Sequence, residues 1–388
     1  MDKRYIKQLD ETISILGYGG MRFPKHEDDS LNFEAAEALL KKAYNMGVNY
    51  FDTAVVYHKG DSEKVFARAF QGIDRSTYML ADKMSIWVCE TEEDMKALFY
   101  RQLETLNTDY IDFYLLHSMN RHHFAKAKEF HTVEFLQEMK RQGKIKHLGF
   151  SFHDTEPVLK QILDEYQWDF VQLQLNYLDW KAMHANRLYQ MLEERNLPCM
   201  VMEPVRGGYL ANLNEECAAP LKALDSSASL ASWAVRFVAS LPNVAVVLSG
   251  MSDEEQVDDN CATFTNFKPL TAQEQKTIAA VTDELCKLND IPCTGCRYCM
   301  DCPQGVDIPE IFSIYSQYRV FGNAQRFVNS MESAEKNGFG PSLCVNCGAC
   351  ASQCPQQIAI PEKLAYIQDL CQQEKEKLAK EENAKTNA

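Results

Sequence analysis

A carboxylate and a phenol lie close together in the stretch 49–63, in a pattern that can support acid–base chemistry. An apolar run at 48–51 ends at Asp52, and Tyr57 follows on the outgoing loop. Gly60-Asp61-Ser62 then predicts the start of a helix, because an Asp or Ser side chain can cap its first turn. We interpret the run as a buried strand that carries Asp52 to its carboxyl end, where parallel α/β folds place their catalytic groups. Taken alone, the stretch fits a capping Asp and a packed Tyr equally well.

A lysine and a histidine end the third and fourth predicted strands, at Lys83 and His117. Because strand ends meet at one rim of a barrel, these side chains would join Asp52 and Tyr57. A buried lysine is costly unless a carboxylate pairs with it, and Asp52 can be that carboxylate. The ammonium favours a phenolate, so we expect a lowered Tyr57 pKa and a proton donor that works near neutral pH. A lone histidine at a strand end is more often structural, but the convergence of four group types favours a role for His117 in orienting a carbonyl or assisting proton transfer.

An alternation of strands and helices must position these groups. Residues 5–9 and 13–16 predict an N-terminal hairpin around Asp10-Glu11. Eight strand–helix units follow it, which is the count of a closed (β/α)₈ TIM barrel in the α/β class. An open doubly wound sheet is the rival, but its Gly-x-Gly-x-x-Gly fingerprint is missing after the first strand. The predicted strands are 15–21, 48–52, 78–83, 110–117, 145–151, 170–175, 198–203 and 244–249, and the predicted helices are 34–46, 62–71, 92–106, 133–141, 156–163, 185–195, 228–239 and 253–261.

Composition narrows the class of protein and its partners. The 388 residues are 46% hydrophobic and 24% charged, as in globular proteins. The net charge of −15 repels phosphate backbones and anionic membranes, so we expect no nucleic-acid partner. No apolar run approaches the ~20 residues of a membrane span, and the N-terminus lacks the apolar core of a signal peptide. We therefore expect a cytoplasmic protein.

Eight of the 14 cysteines form two clusters near the C-terminal end. The second cluster has the spacing of bacterial ferredoxins, in which three close thiolates are followed by a Cys-Pro. The first is one residue shorter before its last cysteine and keeps the proline. Paired Cys-x-x-Cys also serves zinc, which is the alternative, but two runs that end in Cys-Pro favour iron–sulfur chemistry in a reducing compartment.

In two-cluster ferredoxins the last cysteine of each run ligates the other cluster. We therefore predict two [4Fe–4S] clusters, one held by Cys293, Cys296, Cys299 and Cys354, the other by Cys344, Cys347, Cys350 and Cys302. The helical insert between the runs resembles the α-helical ferredoxin modules of respiratory enzymes. The predicted domains are a barrel at 1–268, a linker helix at 269–290, a mostly α-helical ferredoxin-like iron–sulfur domain at 291–362, and a C-terminal helix with a frayed tail at 363–388.

Residues 5–265 resemble the aldo/keto reductase family. The matching pieces are Phe51-Asp52-Thr53-Ala54 with Tyr57 and Ser62-Glu63, then Lys83, Tyr110-Ile111-Asp112 leading to His117, Gly149-Phe150-Ser151, Gln172 and Asn260. The whole chain resembles the bacterial and archaeal members that carry a fused ferredoxin-type domain. The resemblance implies hydride transfer from a nicotinamide to a carbonyl, with Tyr57 as the general acid. It also implies that Lys83 and Asp52 tune Tyr57 and that His117 orients the substrate.

The resemblance further implies a nucleotide site. Ser151 and Gln172 would hold the carboxamide, and the segment 249–252 would hold phosphate at a loop and helix N-terminus. Met202 stands where an aromatic usually stacks on the nicotinamide, and Arg206 would meet the pyrophosphate unless it is an exposed loop arginine. The full predicted set is Ser151, Gln172, Met202, Arg206, Ser249, Gly250, Met251, Gln256 and Asn260.

Other positions depart from the family pattern. The residues at 152–153, Phe and His, stand where the family usually has Asn after the matching serine. Gly250 and Gln256 replace a cationic pair that commonly receives a 2′-phosphate. With Asp258 and Asp259 nearby, the pocket offers little to a dianion, so we predict that NAD(H) binds at least as well as NADP(H).

These patterns together predict an oxidoreductase that acts on a small carbonyl or alcohol with NAD(H) or NADP(H) and with iron–sulfur clusters for electron transfer. Clusters pass single electrons whereas a nicotinamide exchanges a hydride. A flavin, a radical step or a redox partner protein must therefore couple them, unless the clusters are structural. The alternative is an iron–sulfur electron-transfer or redox-sensing protein whose barrel is a docking or ligand-binding module. The loops at 117–130 and 206–220 show no pattern that identifies the substrate.

Overall fold

The computed structural model describes residues 1–28, 30–288, 291, 293, 298–300, 302–354 and 358–386. The predicted ligand Cys296 lies outside the described residues. Contacts within the chain define two compact units. One comprises Met1–Trp180, His184–Ala211 and Leu224–Lys276, and the other comprises Lys181–Met183, Asn212–Ala223 and Thr277–Ala388. No described helix is long and apolar enough to cross a membrane.

The strands confirm the predicted barrel. An antiparallel hairpin is formed by β1 (Lys3–Ile6) and β2 (Glu11–Ser14). Eight parallel strands then close in the order β10-β3-β4-β5-β6-β7-β8-β9. They are β3 (Leu16–Gly19), β4 (Tyr50–Asp52), β5 (Met79–Met84), β6 (Ile111–Met119), β7 (Ile145–Phe152), β8 (Phe170–Gln174), β9 (Cys199–Met202) and β10 (Val244–Ser249). The predicted hairpin strands at 5–9 and 13–16 were wrong in position, because residues 7–10 form the turn and Leu16 already belongs to the barrel.

Helices alternate with the barrel strands along the chain and continue after the last strand. They are α1 (Phe33–Asn45), α2 (Ser62–Ala69), α3 (Glu92–Thr105), α4 (Arg121–Glu129), α5 (Thr132–Arg141), α6 (Glu156–Glu165), α7 (Tyr177–Ala182), α8 (Ala185–Glu193), α9 (Glu215–Leu224), α10 (Leu230–Ala239), α11 (Glu254–Thr263), α12 (Ala272–Leu288), α13 (Ile308–Phe321), α14 (Ala324–Lys336), α15 (Ala349–Ser352) and α16 (Ile360–Thr386). Two of them, α4 and α9, lie largely in the segments 117–130 and 206–220, where the sequence pattern is uninformative.

Side-chain alternation decides which residues face the inside of the barrel. Along β5, Ala81 joins an inner cluster with Tyr50 and Phe113, while Met84 packs outward in the cluster between the strands and the helices. Because successive strand side chains point to opposite faces, Lys83 shares the inner face of Ala81. By the same two-residue alternation, Asp52 shares the inner face with Tyr50, and His117 shares it with Phe113. Three of the predicted catalytic side chains therefore project into the barrel near the carboxyl ends of adjacent strands.

The smaller unit has a hydrophobic core of its own. Helices α13, α14 and α16 contribute residues such as Ile311, Phe327 and Ile367, all buried. Six of the predicted cluster cysteines are partly buried against this core, and Cys347 is exposed; the six are Cys293, Cys299, Cys302, Cys344, Cys350 and Cys354. The cysteine loops are thus anchored to helices rather than to a sheet.

Candidate functional site

Lys83 and Asp52 form a buried ion pair inside the barrel. The Lys83 ammonium donates to Oδ1 of Asp52 and to the backbone carbonyl of Thr53, both at 2.6 Å. Both side chains are almost completely shielded from solvent. Burial acts to lower the Lys83 pKa, but Asp52 and Tyr57 outweigh it, and the Lys83 pKa is raised. Lys83 is therefore a permanent cation at neutral pH.

Tyr57 lies beside this ammonium. The Lys83 Nζ atom is 4.9 Å from the centre of the Tyr57 ring. The expectation of a lowered Tyr57 pKa is wrong: burial raises the Tyr57 pKa, and the opposing effect of Lys83 is smaller. The phenol is therefore protonated at neutral pH. The two residues after Tyr57, His58 and Lys59, both have positive φ, so the turn that presents the phenol is strained.

His117 faces the Tyr57 ring, with the two centroids 5.8 Å apart and the planes at 82°. Its Nδ1 atom is 2.7 Å from the Ser85 hydroxyl oxygen. Burial, followed by the charge of Lys83, holds the His117 pKa well below its usual range, so the ring is neutral. The structure thus brings together the four side chains that the sequence singles out: Asp52, Tyr57, Lys83 and His117.

An aromatic wall beside His117 is absent from the sequence-based set. Trp87 lies 4.9 Å from the His117 ring and stacks on His123 at 4.8 Å, and it remains 38% exposed. The His123 Nδ1 atom is 2.7 Å from the Ser118 carbonyl, which fixes the imidazole at the start of α4. The sequence did contain a signal for this wall, because Trp87 closely follows the end of β5 and His123 closely follows the end of β6.

A buried polar network supports the main chain of Lys83. The backbone N–H of Lys83 donates to Oδ1 of Asp82 at 2.8 Å, and the backbone carbonyl of Lys83 accepts from the Gln102 side chain at 3.1 Å. Gln102 also donates to Glu63 at 3.0 Å and accepts from Tyr114 at 2.5 Å. Burial, followed by the charge of Glu63, raises the Asp82 pKa well above its usual range. Sequence reasoning did not identify this network, because its members lie on α2, α3, β5 and β6.

The predicted carboxamide site contains an unpartnered acceptor. Gln172 donates to the Met202 sulfur at 3.5 Å, and its side-chain oxygen is buried without a hydrogen-bond partner. The Ser151 hydroxyl accepts the Ser118 N–H at 2.7 Å and keeps its own proton to donate. One free acceptor and one free donor at neighbouring inner positions of β7 and β8 suit an amide ligand.

The predicted phosphate segment offers its main chain. Asn260 donates to the Ser249 hydroxyl at 3.1 Å, while the side-chain oxygen of Asn260 is buried without a partner. The Met251 side chain is buried in the core, and its carbonyl accepts from Tyr18 at 2.5 Å. Gly250 has no side chain, and the side chain of Arg22 lies 3.0 Å from where a Cβ atom on Gly250 would be.

Arg206 is anchored rather than exposed. Its Nε atom lies 3.1 Å from Oδ1 of Asp179, a buried carboxylate that also accepts from Asn176 at 2.7 Å. Its Nη1 atom is buried without a hydrogen-bond partner. The alternative of an exposed loop arginine is therefore wrong, and the orphaned guanidinium nitrogen suits an anionic group.

The first turn of α11 is closed by its own side chains. The Asp253 carboxylate accepts the Gln256 N–H at 2.8 Å, and the Gln256 side-chain oxygen accepts the Ser252 N–H at 2.9 Å. The Asp253 carboxylate is the N-cap of α11 and places a negative charge at this helix start. This arrangement disfavours a 2′-phosphate at the start of α11.

Asp258 and Asp259 are engaged with neighbouring helices. Asp258 pairs with Lys42 of α1 at 2.8 Å, and Asp259 accepts the hydroxyl of Ser229, the N-cap of α10, at 2.7 Å. The repulsion that the sequence attributes to these two carboxylates is thus weaker than expected, because Lys42 offsets one of them.

A pocket in the smaller unit is lined by four predicted cluster ligands: Cys302, Cys344, Cys347 and Cys350. Burial raises the Cys350 pKa, and the other three cysteines add to the effect. No three described Cys, His, Asp or Glu side chains converge closely enough to hold a single metal ion. The pocket combines the last cysteine of the first run with three cysteines of the second.

Comparisons with known proteins match the barrel and the cysteine-containing region to two different families. Residues 15–283 match the aldo/keto reductase family, and residues 292–360 match the 4Fe–4S dicluster domain. An uncharacterized oxidoreductase of Bacillus subtilis, YqkF, is 26% identical over 315 residues, which cover 73% of this chain and 97% of the relative. The NADH-specific methylglyoxal reductase of Escherichia coli is 24% identical over 309 residues, or 68% of this chain and 93% of the relative. The holo form of aldo-keto reductase AKR11C1 from Bacillus halodurans superimposes with a TM-score of 0.60 and 26% identity, covering 72% of this chain and 96% of that structure.

Proposed function

The chain belongs to the aldo/keto reductase family, and from that premise we propose that it interconverts a small carbonyl compound and its alcohol at the inner rim of the barrel. A bound nicotinamide nucleotide supplies or accepts the hydride. The orphaned polar atoms of Gln172, Asn260 and Arg206 support binding of that nucleotide, because each is buried without a hydrogen-bond partner in the chain and a ligand can supply one.

Tyr57 is the proton donor in the direction of carbonyl reduction. Its raised pKa keeps the phenol protonated, and the adjacent Lys83 ammonium stabilises the phenolate left after proton transfer. Asp52 holds Lys83 in place and balances its charge. The 4.9 Å approach of Lys83 to the Tyr57 ring is the observation that carries this assignment.

His117 orients the substrate. The ring is neutral, and when its Nδ1 atom accepts the Ser85 hydroxyl proton, the opposite nitrogen carries a hydrogen that can be donated to a carbonyl oxygen. Trp87 supplies an apolar wall beside that position. Methylglyoxal is a suitable first substrate to test, because a relative is named for its reduction.

Tyr57→Phe tests the assignment directly. The variant should lose at least about 100-fold in carbonyl reduction, the contribution of a positioned general acid. It should still bind NADH, measured by fluorescence titration. Tyr100→Phe is a matched control, because Tyr100 is an exposed residue of α3. Undiminished turnover of methylglyoxal and other small aldehydes by Tyr57→Phe would contradict the assignment.

For the cofactor, we propose that NAD(H) binds at least as well as NADP(H). The Asp253 cap at the start of α11 supports this preference. Repulsion of a 2′-phosphate by Asp258 contributes less, because Lys42 offsets that charge. Equilibrium binding of both reduced nucleotides to the full chain decides the question. A clear preference for NADPH would refute it.

For the smaller unit, we propose two [4Fe–4S] clusters with crossed ligation, in a cytoplasmic protein that exchanges single electrons with a redox partner protein. The pocket between Cys302 and the second cysteine run supports the crossing. Anaerobic titration with NADH tests whether the nucleotide and the clusters exchange electrons. Bleaching of the clusters by NADH would show that they do. A cluster spectrum unchanged by NADH but bleached by a low-potential one-electron reductant would separate them.

A further inference from the structure

Arg22 lies across three loops at the carboxyl ends of adjacent barrel strands. It follows β3, and its guanidinium pairs with Glu203, which follows β9, at 3.1 Å. The Ser252 hydroxyl, beyond the end of β10, donates to the Arg22 carbonyl at 2.8 Å. Both the main chain and the side chain of Arg22 are therefore tied to the loops after the seventh and eighth strands of the barrel.

Two glycines make room for this arginine. A Cβ atom on Gly250 would come 3.0 Å from the Cβ of Arg22 and 3.2 Å and 3.3 Å from the next two carbons. A Cβ atom on Gly207 would come 3.1 Å from the Arg22 guanidinium. The side chain thus lies in a shallow cradle whose floor is the backbone of both loops, and a larger residue at either position would displace it.

The cradle is a suitable place for a phosphate group. In (β/α)₈ barrels the loops after the seventh and eighth strands commonly form a phosphate site. Arg22 is 46% exposed, so a ligand can reach it, and Glu203 is a single carboxylate that an incoming anion can replace. The buried, unpartnered Nη1 atom of Arg206 lies on the same loop as Glu203 and Gly207.

We propose that Arg22 is a ligand of the nucleotide pyrophosphate, released from Glu203 when the cofactor binds. The inference rests on the proposed function, because it takes the nicotinamide nucleotide as the bound molecule. Arg22 is held toward Glu203 and Gly207, whereas the start of α11 is closed by Asp253 and Gln256. Arg22 therefore contributes equally to NADH and NADPH and does not read the 2′-phosphate.

Direct binding to the cluster-loaded full chain tests the proposal. Arg22→Ala should weaken NADH, NADPH and ADP-ribose by a similar factor of about tenfold, the effect of one lost charge-assisted hydrogen bond. ADP-ribose keeps the pyrophosphate and lacks the nicotinamide, so it isolates the contact. Arg68→Ala is the matched control, because Arg68 is also an exposed arginine that pairs with a carboxylate, Glu37, and it lies on α2, outside these loops.

Gly250→Ala gives an independent test through the cradle. The added methyl group displaces Arg22, so the variant should lose part of the same affinity and should lose nothing further in the Arg22→Ala background. Unchanged affinity in Arg22→Ala, or a loss confined to NADPH, would overturn the proposal while leaving the proposed function intact. Failure of the wild-type chain to bind any of the three probes would overturn both.

Discussion

The ammonium of Lys83 lies 2.6 Å from Oδ1 of Asp52, with both side chains enclosed by the barrel. Each charge is tolerated there because the other is present, since desolvating either one alone is costly. The pair is consequently a structural element as well as part of the site, and its two roles can be separated experimentally.

Breaking the pair should destabilise the barrel. Lys83→Met or Asp52→Asn leaves a buried group without its partner and should each lower the free energy of unfolding by about 3–5 kcal/mol. The double variant should lose clearly less than the sum of the two. Denaturant unfolding followed by circular dichroism measures both, with Lys96→Met at the exposed Lys96–Glu92 pair as control. Additive losses would show that the two charges do not depend on each other.

The raised Tyr57 pKa predicts the pH dependence of turnover. A proton donor must be protonated, so carbonyl reduction should stay level through neutral pH and fall only above the ordinary tyrosine value of about 10. Alcohol oxidation, which needs the phenolate, should rise over the same alkaline range. Because Lys83 acts to lower the Tyr57 pKa, Lys83→Met should move any remaining alkaline transition further upward. A profile of kcat that already declines between pH 7 and 8 would contradict this behaviour.

The raised pKa of the Asp82 carboxyl predicts a stability effect with a definite sign. Its folded pKa is raised, so its stabilising contribution is complete below the ordinary value of 3.8 and is lost as pH rises toward the folded pKa. Asp82→Asn removes this loss while keeping an acceptor for the Lys83 N–H. The variant should therefore gain in melting temperature relative to wild type between pH 5 and pH 8. Asp164→Asn is the contrasting control, because Lys160 and Arg195 lower the Asp164 pKa and any effect has the opposite sign.

Crossed ligation makes a specific demand on Cys354. Loss of this residue should damage the cluster held by Cys293 and Cys299 and should spare the cluster of its own sequence neighbours. Iron and acid-labile sulfide are measured per chain, and the reduced clusters are followed by electron paramagnetic resonance. Wild type should contain about eight irons per chain. Cys371→Ser, in α16 and outside both runs, is the control. Damage restricted to the Cys344/Cys347 cluster, or zinc in place of iron, would refute the crossed arrangement.

The sequence by itself determined the barrel and most of its chemistry. Strand–helix alternation predicted the eight strands, and the positions of Asp52, Lys83 and His117 at strand ends predicted that they meet at one rim of the barrel. Cysteine spacing indicated iron–sulfur ligation without any tertiary information, because the ligands of each run are neighbours in the chain. These features are local, so a single pass along the residues finds them.

Tertiary structure decided the features that depend on distant contacts. The Tyr57 pKa rises rather than falls because burial, which no local pattern reports, outweighs the nearby ammonium. Arg22 reaches Gly250 only because closure of the barrel brings β3 beside β10, although more than 200 residues separate them in the chain. Gln102 supports Lys83 from a helix that the sequence describes only as amphipathic. Barrel closure and burial are long-range effects, and for that physical reason they became visible only in the folded chain.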